Sequence, residues 1–419
     1  MILLDAGLGI IMVLGITTFL VISLLLVLLL LIAKAKLLPS GPVMININSD
    51  KEVEANSGSS LLSTLSEKKI FLPSACGGGG TCGMCRCQVI SGGGSILPTE
   101  VGFFTRKQMQ ENWRLGCQVK VRENLEIQIP KEIFGIKKWE CEVVSNKNVA
   151  TFIKEFVVKL PEGESLDFLS GGYVQIDVPK CEVDFKNILI EEKFYGDWEK
   201  FKMFDLKMKN PEPLYRAYSM ANHPAEGNIV MLNIRIATPP WDKKINGFMK
   251  VNPGICSSYI FSRKPGDKVM VSGPYGEFHI KPTGKEMVYI GGGAGMAPLR
   301  SHIFHLFHTE HTKRKVSYWY GGRSMREIFY EDQFSAIEKE NPNFTFNIAL
   351  SEPLPEDNWT GYTGFIHQVV FDNYLSKHPE PEDIEYYLCG PPMMNDAVFK
   401  MLDNLGVPRE NIAFDDFGG

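Results

Sequence analysis

Residues 286–299 read Glu-Met-Val-Tyr-Ile-Gly-Gly-Gly-Ala-Gly-Met-Ala-Pro-Leu, an apolar strand that runs into a glycine-rich turn and then into an apolar helix. Pro298 stands in the first turn of that helix, where its missing N–H costs nothing. Turns of this kind bring a dinucleotide pyrophosphate to the N-terminus of a helix. The pattern departs from G-x-G-x-x-G because a proline occupies the last position. The candidate dinucleotide contacts are Gly291, Gly293, Gly295 and Pro298.

The sequence that follows this turn alternates between strands and helices up to the C-terminus. Three apolar runs of strand length are separated by helical segments: 315–320, 345–350 and 386–388. This alternation predicts an α/β domain with a parallel sheet. The last run leads into Cys389-Gly390-Pro391-Pro392 at the carboxyl edge, where ligands bind open α/β sheets. Cys389 and Gly390 are therefore candidates for the same site.

The middle of the chain has a different pattern, with longer β-runs and few helical stretches after Pro130. The runs at 141–144, 153–160 and 173–178 predict strands of an antiparallel barrel.

Two short motifs follow these β-runs at wide separation. The first is Arg216-Ala-Tyr218-Ser219, in which an arginine, an aromatic ring and a serine share a strand. Such a set reaches a pyrophosphate, a flavin ring and a ring nitrogen in turn. The second motif, with Gly254 and Ser257, opens a helix toward the same phosphates. Each motif is short enough to recur by chance, so their order along the chain carries the interpretation.

Five of the nine cysteines lie close together in the N-terminal third of the chain. Cys76, Cys82 and Cys85 flank a glycine-rich loop, and Cys117 lies far downstream. This is how a chain wraps a 2Fe–2S cluster, because glycines let backbone N–H groups approach the sulfurs. The spacing is C-x5-C-x2-C, one residue longer than the usual plant-type loop, and the glycines at 77–80 give room for the bulge. The predicted ligands are Cys76, Cys82, Cys85 and Cys117.

The spacing of these cysteines also bears on a zinc site and on the role of the fifth cysteine. A zinc site favours two C-x2-C pairs, and only one is present. The fifth cysteine, Cys87, opens an apparent strand and is interpreted as a small packed hydrophobe. The order of strands and the helix near 60–69 predicts a β-grasp ferredoxin domain over about 41–130.

Residues 6–33 carry no charge between Asp5 and Lys34 and predict one transmembrane helix. A cleaved signal peptide would have a basic start and a shorter apolar core. Lys34 and Lys36 follow the span and no lysine precedes it, so the positive-inside rule places residues 34–419 in the cytoplasm and the N-terminus outside.

Composition excludes several classes of function. The 419 residues have a net charge of −5, which leaves no field to attract nucleic acid. Hydrolase and ATP-binding motifs are missing from the sequence.

Four histidines recur every three residues after the glycine turn. Residues at this spacing do not lie on one face of a helix, so we expect a polar, partly exposed helix and no metal site. They are His302, His305, His308 and His311.

From about residue 41 onward, the motifs above resemble the ferredoxin–NADP reductase superfamily in its ferredoxin–flavin–nicotinamide arrangement. With the N-terminal span included, the whole chain resembles the F subunits of bacterial sodium-translocating NADH:quinone oxidoreductases. The resemblance implies an α+β multidomain protein. Its parts are an anchor and linker (1–40), a 2Fe–2S domain (41–130), an FAD-binding β-barrel (131–284) and an NADH-binding domain (285–419).

The resemblance also implies residue roles. Arg216 and Ser257 hold the FAD phosphates, Tyr218 packs on the isoalloxazine, and Ser219 hydrogen-bonds its reactive edge. Cys389 lies near the nicotinamide.

Phe417 is implied to cover the flavin face until NADH displaces it, although it is also a hydrophobe near a chain end. Together, Ser219, Cys389 and Phe417 are the implied catalytic residues.

The implied activity is NADH oxidation by hydride transfer to FAD, followed by single-electron transfer to the cluster. Electrons then pass to other membrane subunits of a sodium-pumping quinone reductase complex, and finally to ubiquinone, in the inner membrane of a bacterium. Two alternatives stay open: an NADH reductase component of an oxygenase, and an anchored iron–sulfur binding protein without turnover.

The loop after the second strand of the nucleotide domain bears on the choice of nucleotide. Arg323 and Arg326 in this loop are able to meet a 2′-phosphate. The loop by itself is therefore compatible with NADPH, and the prediction that the substrate is NADH rests on the resemblance.

Residues 180–215, here called the insertion, lengthen the barrel domain relative to soluble relatives. The insertion is rich in aromatic residues, including Trp198, Phe201 and Phe204, and we expect it to form a docking face.

Overall fold

The computed structural model describes residues 2–37 and 41–417. Contacts within the chain divide it into two compact units. The first unit holds the residues up to 72 together with 78–135, and the second holds 73–77 together with everything from 136 onward.

The N-terminus is one long helix, α1 (Ile2–Leu37). Within it, Val13–Ile32 has a mean hydropathy of 2.9, and none of this stretch is buried against the described protein. Twenty helical residues span about 30 Å, the thickness of a bilayer's hydrocarbon core. Among residues 2–37 and 41–417, it is the one helix long and apolar enough to cross a membrane, as the sequence predicts.

The rest of the first unit is a β-grasp fold. Its five-stranded sheet has the order β2-β1-β5-β3-β4, with β1 parallel to β5 and the other neighbours antiparallel. Ser60 caps α2, because its Oγ accepts a hydrogen bond from the backbone N–H of Ser63 at 3.2 Å. The elements are β1 (Pro42–Ile47), β2 (Lys51–Asn56), α2 (Leu61–Glu67), β3 (Arg86–Ser91), α3 (Arg106–Gln110), β4 (Trp113–Leu115) and β5 (Leu125–Gln128).

The second unit begins with an antiparallel barrel of six strands in the order β11-β8-β15-β6-β7-β12. The two edge strands meet through a bridge between Met220 and Leu232, which closes the barrel. Its elements are β6 (Lys137–Ala150), β7 (Ile153–Lys159), β8 (Tyr173–Val178), β9 (Cys181–Asp184), α4 (Glu192–Lys200), β10 (Lys207–Asn210), β11 (Leu214–Ser219), β12 (Ile229–Arg235), β13 (Trp241–Asp242), β14 (Gly247–Phe248), α5 (Ile255–Phe261) and β15 (Lys268–Tyr275).

The insertion is folded onto the barrel, and the expectation that Trp198 belongs to an exposed aromatic face is wrong, whereas Phe201 and Phe204 are half-buried and a docking role for them stays a prediction. The insertion consists of the β9–β10 hairpin and α4, and Trp198 of α4 is fully buried in the barrel core. The Trp198 indole donates to the carbonyl of Thr151 at 2.8 Å and lies against the rings of Phe185 and Phe261. The physical reason is helical spacing: Phe194 and Trp198 stand four residues apart and share the buried face of α4.

The C-terminal part of the second unit is a fully parallel sheet in the order β19-β18-β17-β16-β20-β21. Helices α6 and α7 cover one face of this sheet, and α8 and α9 cover the other. Its elements are β16 (Met287–Gly292), α6 (Met296–His308), β17 (Val316–Gly322), α7 (Glu331–Glu340), β18 (Phe344–Leu350), β19 (Tyr362–Thr363), α8 (Ile366–Asn373), β20 (Glu385–Cys389), α9 (Pro392–Asn404) and β21 (Ile412–Asp415).

The chain leaves β16 toward β17 on one side and returns to β20 on the other. The β16/β20 pair is therefore the topological switch point, where doubly wound sheets bind their ligands. The glycine turn follows β16 and the Cys-Gly-Pro-Pro segment follows β20, so the two sequence motifs meet at this point.

Helix α6 is more buried than the sequence analysis predicts. The expectation of a polar, partly exposed helix is wrong, because Arg300, Ser301 and His302 are all buried. Arg300 donates to the carbonyl of Ala221, and Ser301 donates to that of Asn222, both at 2.8 Å. The helix therefore packs on the barrel as well as on its own sheet. Burial lowers the pKa of His302 to about 3, so this imidazole is neutral.

Candidate functional site

A cavity of about 810 Å³ opens at the carboxyl edge of the parallel sheet. Residues that follow four of its strands form one wall: Gly293, Arg323, Ser351 and Pro391. The opposite wall comes from the barrel and the insertion and is mainly apolar and aromatic: Phe152, Ile236, Trp241, Phe248, Phe201 and Met203. A large apolar cavity at a switch point is where a dinucleotide is expected.

The predicted glycine contacts differ in what surrounds them. Gly293 lines the cavity with φ of +58°, and a Cβ added there would meet no atom within 4 Å. Gly291 and Gly295 pack against protein, since a Cβ on Gly295 would lie 2.0 Å from the carbonyl oxygen of Cys389. Gly293 therefore leaves room for a ligand, whereas Gly295 lets α6 approach β20 closely.

Pro298 lies in the first turn of α6, where the backbone N–H groups have no partner within the helix. It is buried, and it shapes the turn rather than the cavity wall. Contact of Gly291, Gly295 and Pro298 with the dinucleotide stays a prediction.

Cys389 is fully buried at the end of β20. Burial, with a smaller contribution from Asp415 and Asp416, raises the pKa of its thiol well above the ordinary value. The thiol is therefore neutral at physiological pH. A Cβ on the next residue, Gly390, would lie 2.3 Å from Cε of Met394, which lines the cavity, so a side chain there would displace the end of that methionine.

Asp415 is a site residue that the sequence analysis missed. The Ser219 hydroxyl, at the end of β11, donates to Oδ2 of Asp415 at 2.5 Å. Asp415 is also the register partner of Cys389 in the β20–β21 pair. Three residues from distant parts of the chain thus meet: Ser219 of the barrel, Cys389, and Asp415 of the last strand.

The surroundings of Asp415 are unusual for a carboxylate. Burial raises its pKa to about 6, with the hydrogen bond from Ser219 opposing this shift and the neighbouring Asp416 adding to it. The sequence carries one signal for this residue, an Asp-Asp pair shortly before the C-terminal Gly-Gly, but its partner becomes visible only in the fold.

The two barrel motifs also lie close together. The hydroxyl of Tyr218 bonds with the thiol of Cys256 in α5, and burial raises the pKa of Tyr218 well above its ordinary value. The side chain of Arg216 is half-buried, and its Nη1 donates to the carbonyl of Tyr215 at 2.8 Å. This arrangement suits a flavin dinucleotide, because a fixed guanidinium and a tyrosine ring stand on one strand beside a helix start.

Gly254 and Ser257 form that helix start. A Cβ on Gly254 would lie 2.5 Å from Cβ of Ala237, so this position requires glycine. The Ser257 hydroxyl accepts from the N–H of Ala237 at 3.1 Å and bonds with the carbonyl of Gly254 at 3.2 Å. Ser257 therefore fixes the turn, and its contact with FAD phosphates stays a prediction.

Phe417 is the last residue that the structure describes, and its side chain is 45% exposed. It follows Asp415 by two residues and so stands close in sequence to the Ser219–Asp415 contact. Its expected place over a flavin face stays a prediction.

In the first unit, Cys85 and Cys117 are buried neighbours. The backbone N–H of Cys117 donates to Sγ of Cys85 at 3.5 Å, and the Gln118 amide donates to Sγ of Cys117 at 3.7 Å. Hydrogen bonds to the ligand sulfurs help to set the reduction potential of an iron–sulfur cluster. The hydrogen bond with Cys117, followed by burial, raises the pKa of the Cys85 thiol, and a coordinated metal would reverse that shift because a ligating thiol is deprotonated.

The other predicted ligands are divided between the units. Cys82 belongs to the first unit, and Cys76 lies in the segment 73–77 that groups with the second. The expected backbone freedom is present, since Gly77, Gly78 and Gly80 all have positive φ. In the part of the chain that the structure describes, no three His, Cys, Asp or Glu side chains surround one metal-sized point. The four-cysteine set thus stays a prediction.

Models of three protein families match the chain in the predicted order. A 2Fe-2S iron-sulfur cluster binding domain matches residues 45–122. An oxidoreductase FAD-binding domain matches 200–280, and an oxidoreductase NAD-binding domain matches 289–400. These matches support FAD, a 2Fe–2S cluster and NADH as the groups that the chain uses.

Curated relatives extend over almost the whole chain. The F subunit of the Na(+)-translocating NADH-quinone reductase of Klebsiella pneumoniae is 55% identical over 97% of this chain and 99% of its own length. The protein of the same name in Pseudomonas paraeruginosa is 54% identical over 99% of this chain and 100% of its own. The chain belongs to the family of these F subunits.

Solved structures similar to this member of the F subunits share its fold. An Amycolatopsis cytochrome P450 reductase covers 90% of this chain, with a TM-score of 0.62 and 22% identity. The ferredoxin reductase in carbazole 1,9a-dioxygenase also covers 90%, with a TM-score of 0.58 and 25% identity. The ferredoxin, barrel and nucleotide-binding arrangement is thus a fold with several uses.

Proposed function

We propose that this chain is the electron-input component of a sodium-translocating NADH:quinone oxidoreductase. It oxidises NADH and passes the electrons through FAD and a 2Fe–2S cluster to other membrane subunits and finally to ubiquinone, and the complex couples this to Na⁺ export. The observation that carries the proposal is the identity of 54% to an F subunit over 99% of the chain.

Residues of the barrel hold the flavin in this proposal. Arg216 and the helix start at Gly254 and Ser257 hold the phosphates, and Tyr218 packs on the ring system. Ser219 hydrogen-bonds the reactive edge, and Asp415 fixes the direction of its hydroxyl. Bound FAD accepts a hydride and gives up single electrons, chemistry that no side chain supplies.

The nucleotide-binding domain holds NADH in this proposal. The pyrophosphate lies at the turn around Gly293, where the cavity approaches the backbone. The neutral Cys389 thiol bounds the nicotinamide position. Phe417 covers the flavin until NADH displaces it.

The anchoring and the domain limits are part of the same proposal. Helix α1 crosses the bacterial inner membrane once, with the N-terminus outside and residues 34–419 in the cytoplasm. The four domains end at about residues 40, 130, 284 and 419, and the 2Fe–2S cluster is bound by Cys76, Cys82, Cys85 and Cys117.

An oxygenase reductase with a similar fold is the second candidate, because similar solved structures include such reductases. Purifying the full-length chain from its native membrane and identifying the copurifying proteins separates the two. The proposal expects integral membrane subunits of a quinone reductase. Recovery of the chain alone, or with a soluble oxygenase, would contradict it.

A further inference from the structure

The insertion reaches the loop that follows β17 in the nucleotide sheet. We call residues 323–327 the ribose loop. Asp197 of α4 accepts a hydrogen bond from Nη1 of Arg326 at 2.7 Å. Glu356 accepts one from Nη2 of the same guanidinium at 3.2 Å. Arg326 is thus held between two carboxylates, one of which belongs to the insertion.

The ribose loop matters because of its place in a doubly wound sheet. After the second strand of such a sheet, an acidic residue commonly binds the adenosine ribose, whereas an arginine there accommodates a 2′-phosphate. Arg323 and Glu327 line the cavity, and Arg326 stands between them in sequence. Two residues of the insertion, Phe201 and Met203, line the same cavity. The insertion therefore borders the cavity in which the dinucleotide is proposed to bind.

The charges around this loop disfavour a phosphate. A phosphomonoester carries a charge of about −1.5 to −2 at neutral pH. Asp197 and Glu356 form ion pairs with Arg326, so its positive charge is already compensated. The acidic residue Glu327 also lines the cavity. A 2′-phosphate at this loop would therefore meet three carboxylates beside its arginines.

We propose that Asp197 is a specificity-determining residue, which holds Arg326 away from the adenosine 2′-position and so favours NADH over NADPH. This inference rests on the proposed function, since it concerns the same dinucleotide site. It gives the insertion a role in substrate selection.

The partial exposure of the pair makes the test practicable. The side chain of Asp197 is 19% exposed and that of Arg326 is 41% exposed, and ion pairs in contact with solvent contribute little to folding. Removing the Asp197 carboxylate therefore leaves Arg326 paired only with Glu356, whose side chain is 59% exposed, and does not unfold α4. An arginine that reaches a 2′-phosphate forms a charge-assisted hydrogen bond, which corresponds to about a tenfold change in affinity.

The experiment measures the dissociation constants of NAD⁺ and NADP⁺ for the full-length, FAD-loaded chain in detergent by calorimetry. Asp197→Ala is compared with the wild-type chain and with Asp197→Ala/Arg326→Ala. Glu199→Ala is the matched control, because it removes an exposed carboxylate from the same helix. Steady-state kcat/KM with NADH and NADPH is measured on the same samples.

The proposal expects the NADP⁺/NAD⁺ ratio of dissociation constants to fall about tenfold in Asp197→Ala, to return in the double variant, and to stay unchanged in the control. A ratio that does not move, or that moves equally in Glu199→Ala, would overturn it. Failure of the proposed function looks different: NADH then fails to bleach the wild-type flavin, whereas the binding ratio still reports on Asp197.

Discussion

At the scale of single residues, the Ser219–Asp415 contact is the most informative feature of the site. It joins the barrel to the last strand of the nucleotide sheet, and it contains a carboxyl group whose pKa is raised by burial to about 6. In the proposed site, an ionised Asp415 accepts a hydrogen bond from the Ser219 hydroxyl, and the Ser219 oxygen is then oriented to accept one at the flavin edge.

We predict a pH dependence from this carboxyl group. NADH oxidation with an artificial acceptor falls as the pH drops through about 6, because protonation removes the negative charge that strengthens the hydrogen bond from Ser219 and gives Asp415 a competing O–H donor. Asp415→Asn removes this inflection, since an amide does not titrate. The measurement is the kcat profile between pH 5 and 8. An unchanged inflection in Asp415→Asn would contradict this assignment.

The same group predicts a stability effect with a defined sign. The pKa of Asp415 is higher in the folded state than in the unfolded chain. The contribution of Asp415 to the free energy of unfolding is therefore complete at pH values below the pKa of the unfolded chain, and it is lost as the pH rises through about 6. Asp415→Asn should therefore gain in melting temperature relative to wild type at pH 7 to 8 but not at pH 4. Equal differences at both pH values would count against a raised pKa.

Phe417 gives a second prediction at this scale. If its ring covers the flavin, Phe417→Ala lowers KM for NADH and weakens discrimination against NADPH while FAD stays bound. Phe414→Ala is the control, because Phe414 packs edge-on against Phe399 at 5.1 Å between ring centroids. The measurement is KM and kcat with NADH and with NADPH. Values for Phe417→Ala that equal those of the wild-type chain would contradict a role of Phe417 in covering the flavin.

At the scale of elements, a buried ion pair fixes β4 in the ferredoxin fold. Arg114 donates to Glu100 from Nε and Nη2, and Glu100 also accepts from the backbone N–H of Leu115. The two side chains are only 5% and 0% exposed. Because β4 leads directly to Cys117, this pair holds the downstream end of the predicted cluster site.

We predict that Arg114→Ala destabilises this unit by about 3 kcal/mol, since it leaves the Glu100 carboxylate buried without its partner. Amide hydrogen exchange in β3 and β4 should then accelerate about a hundredfold. Lys107→Ala serves as the control, because the Lys107–Glu111 pair is largely exposed. Exchange rates that match those of the control would show that the pair is not structural.

Several elements were predictable from the sequence because their signals are local. The apolar run of β16, the glycine turn and Pro298 lie within one short stretch, and β8 was predicted with its observed bounds, Tyr173–Val178. The burial of Trp198 was missed because it depends on the barrel surface beneath α4. The burial of α6 was missed for the same reason, since its polar residues bond to the barrel.

Candidate site residues likewise divide into those with a local sequence signal and those that only the fold brings together. Arg216, Gly293 and Cys389 belong to contiguous motifs, so the sequence alone names them as candidates. The partners Asp415 of Ser219 and Asp197 of Arg326 stand 196 and 129 residues away along the chain, so only the fold brings them together. A single sequence carries no signal for such pairs.

At the scale of the whole molecule, the chain combines an apolar helix with three cofactor-binding domains. The mean hydropathy of −0.07 averages this apolar helix with domains that are more polar, and the net charge of −5 comes from those domains and the ends of the helix. One helix with no ionisable group between Asp5 and Lys34 offers no ion path of its own. The proposed role is therefore to supply electrons to a pump and not to move Na⁺ itself.

The electron path through the chain is the central claim, and anaerobic addition of NADH to the purified full-length holoprotein tests it. Flavin absorbance is followed together with the electron paramagnetic resonance signal of a reduced 2Fe–2S cluster. The two variants compared are Cys85→Ser, a predicted ligand, and Cys87→Ser, a fully buried cysteine assigned to packing.

The account predicts that NADH bleaches the flavin in all three proteins, and that the cluster signal appears in wild type and Cys87→Ser but not in Cys85→Ser. A wild-type flavin that NADH does not bleach, or a cluster signal that survives in Cys85→Ser, would contradict it.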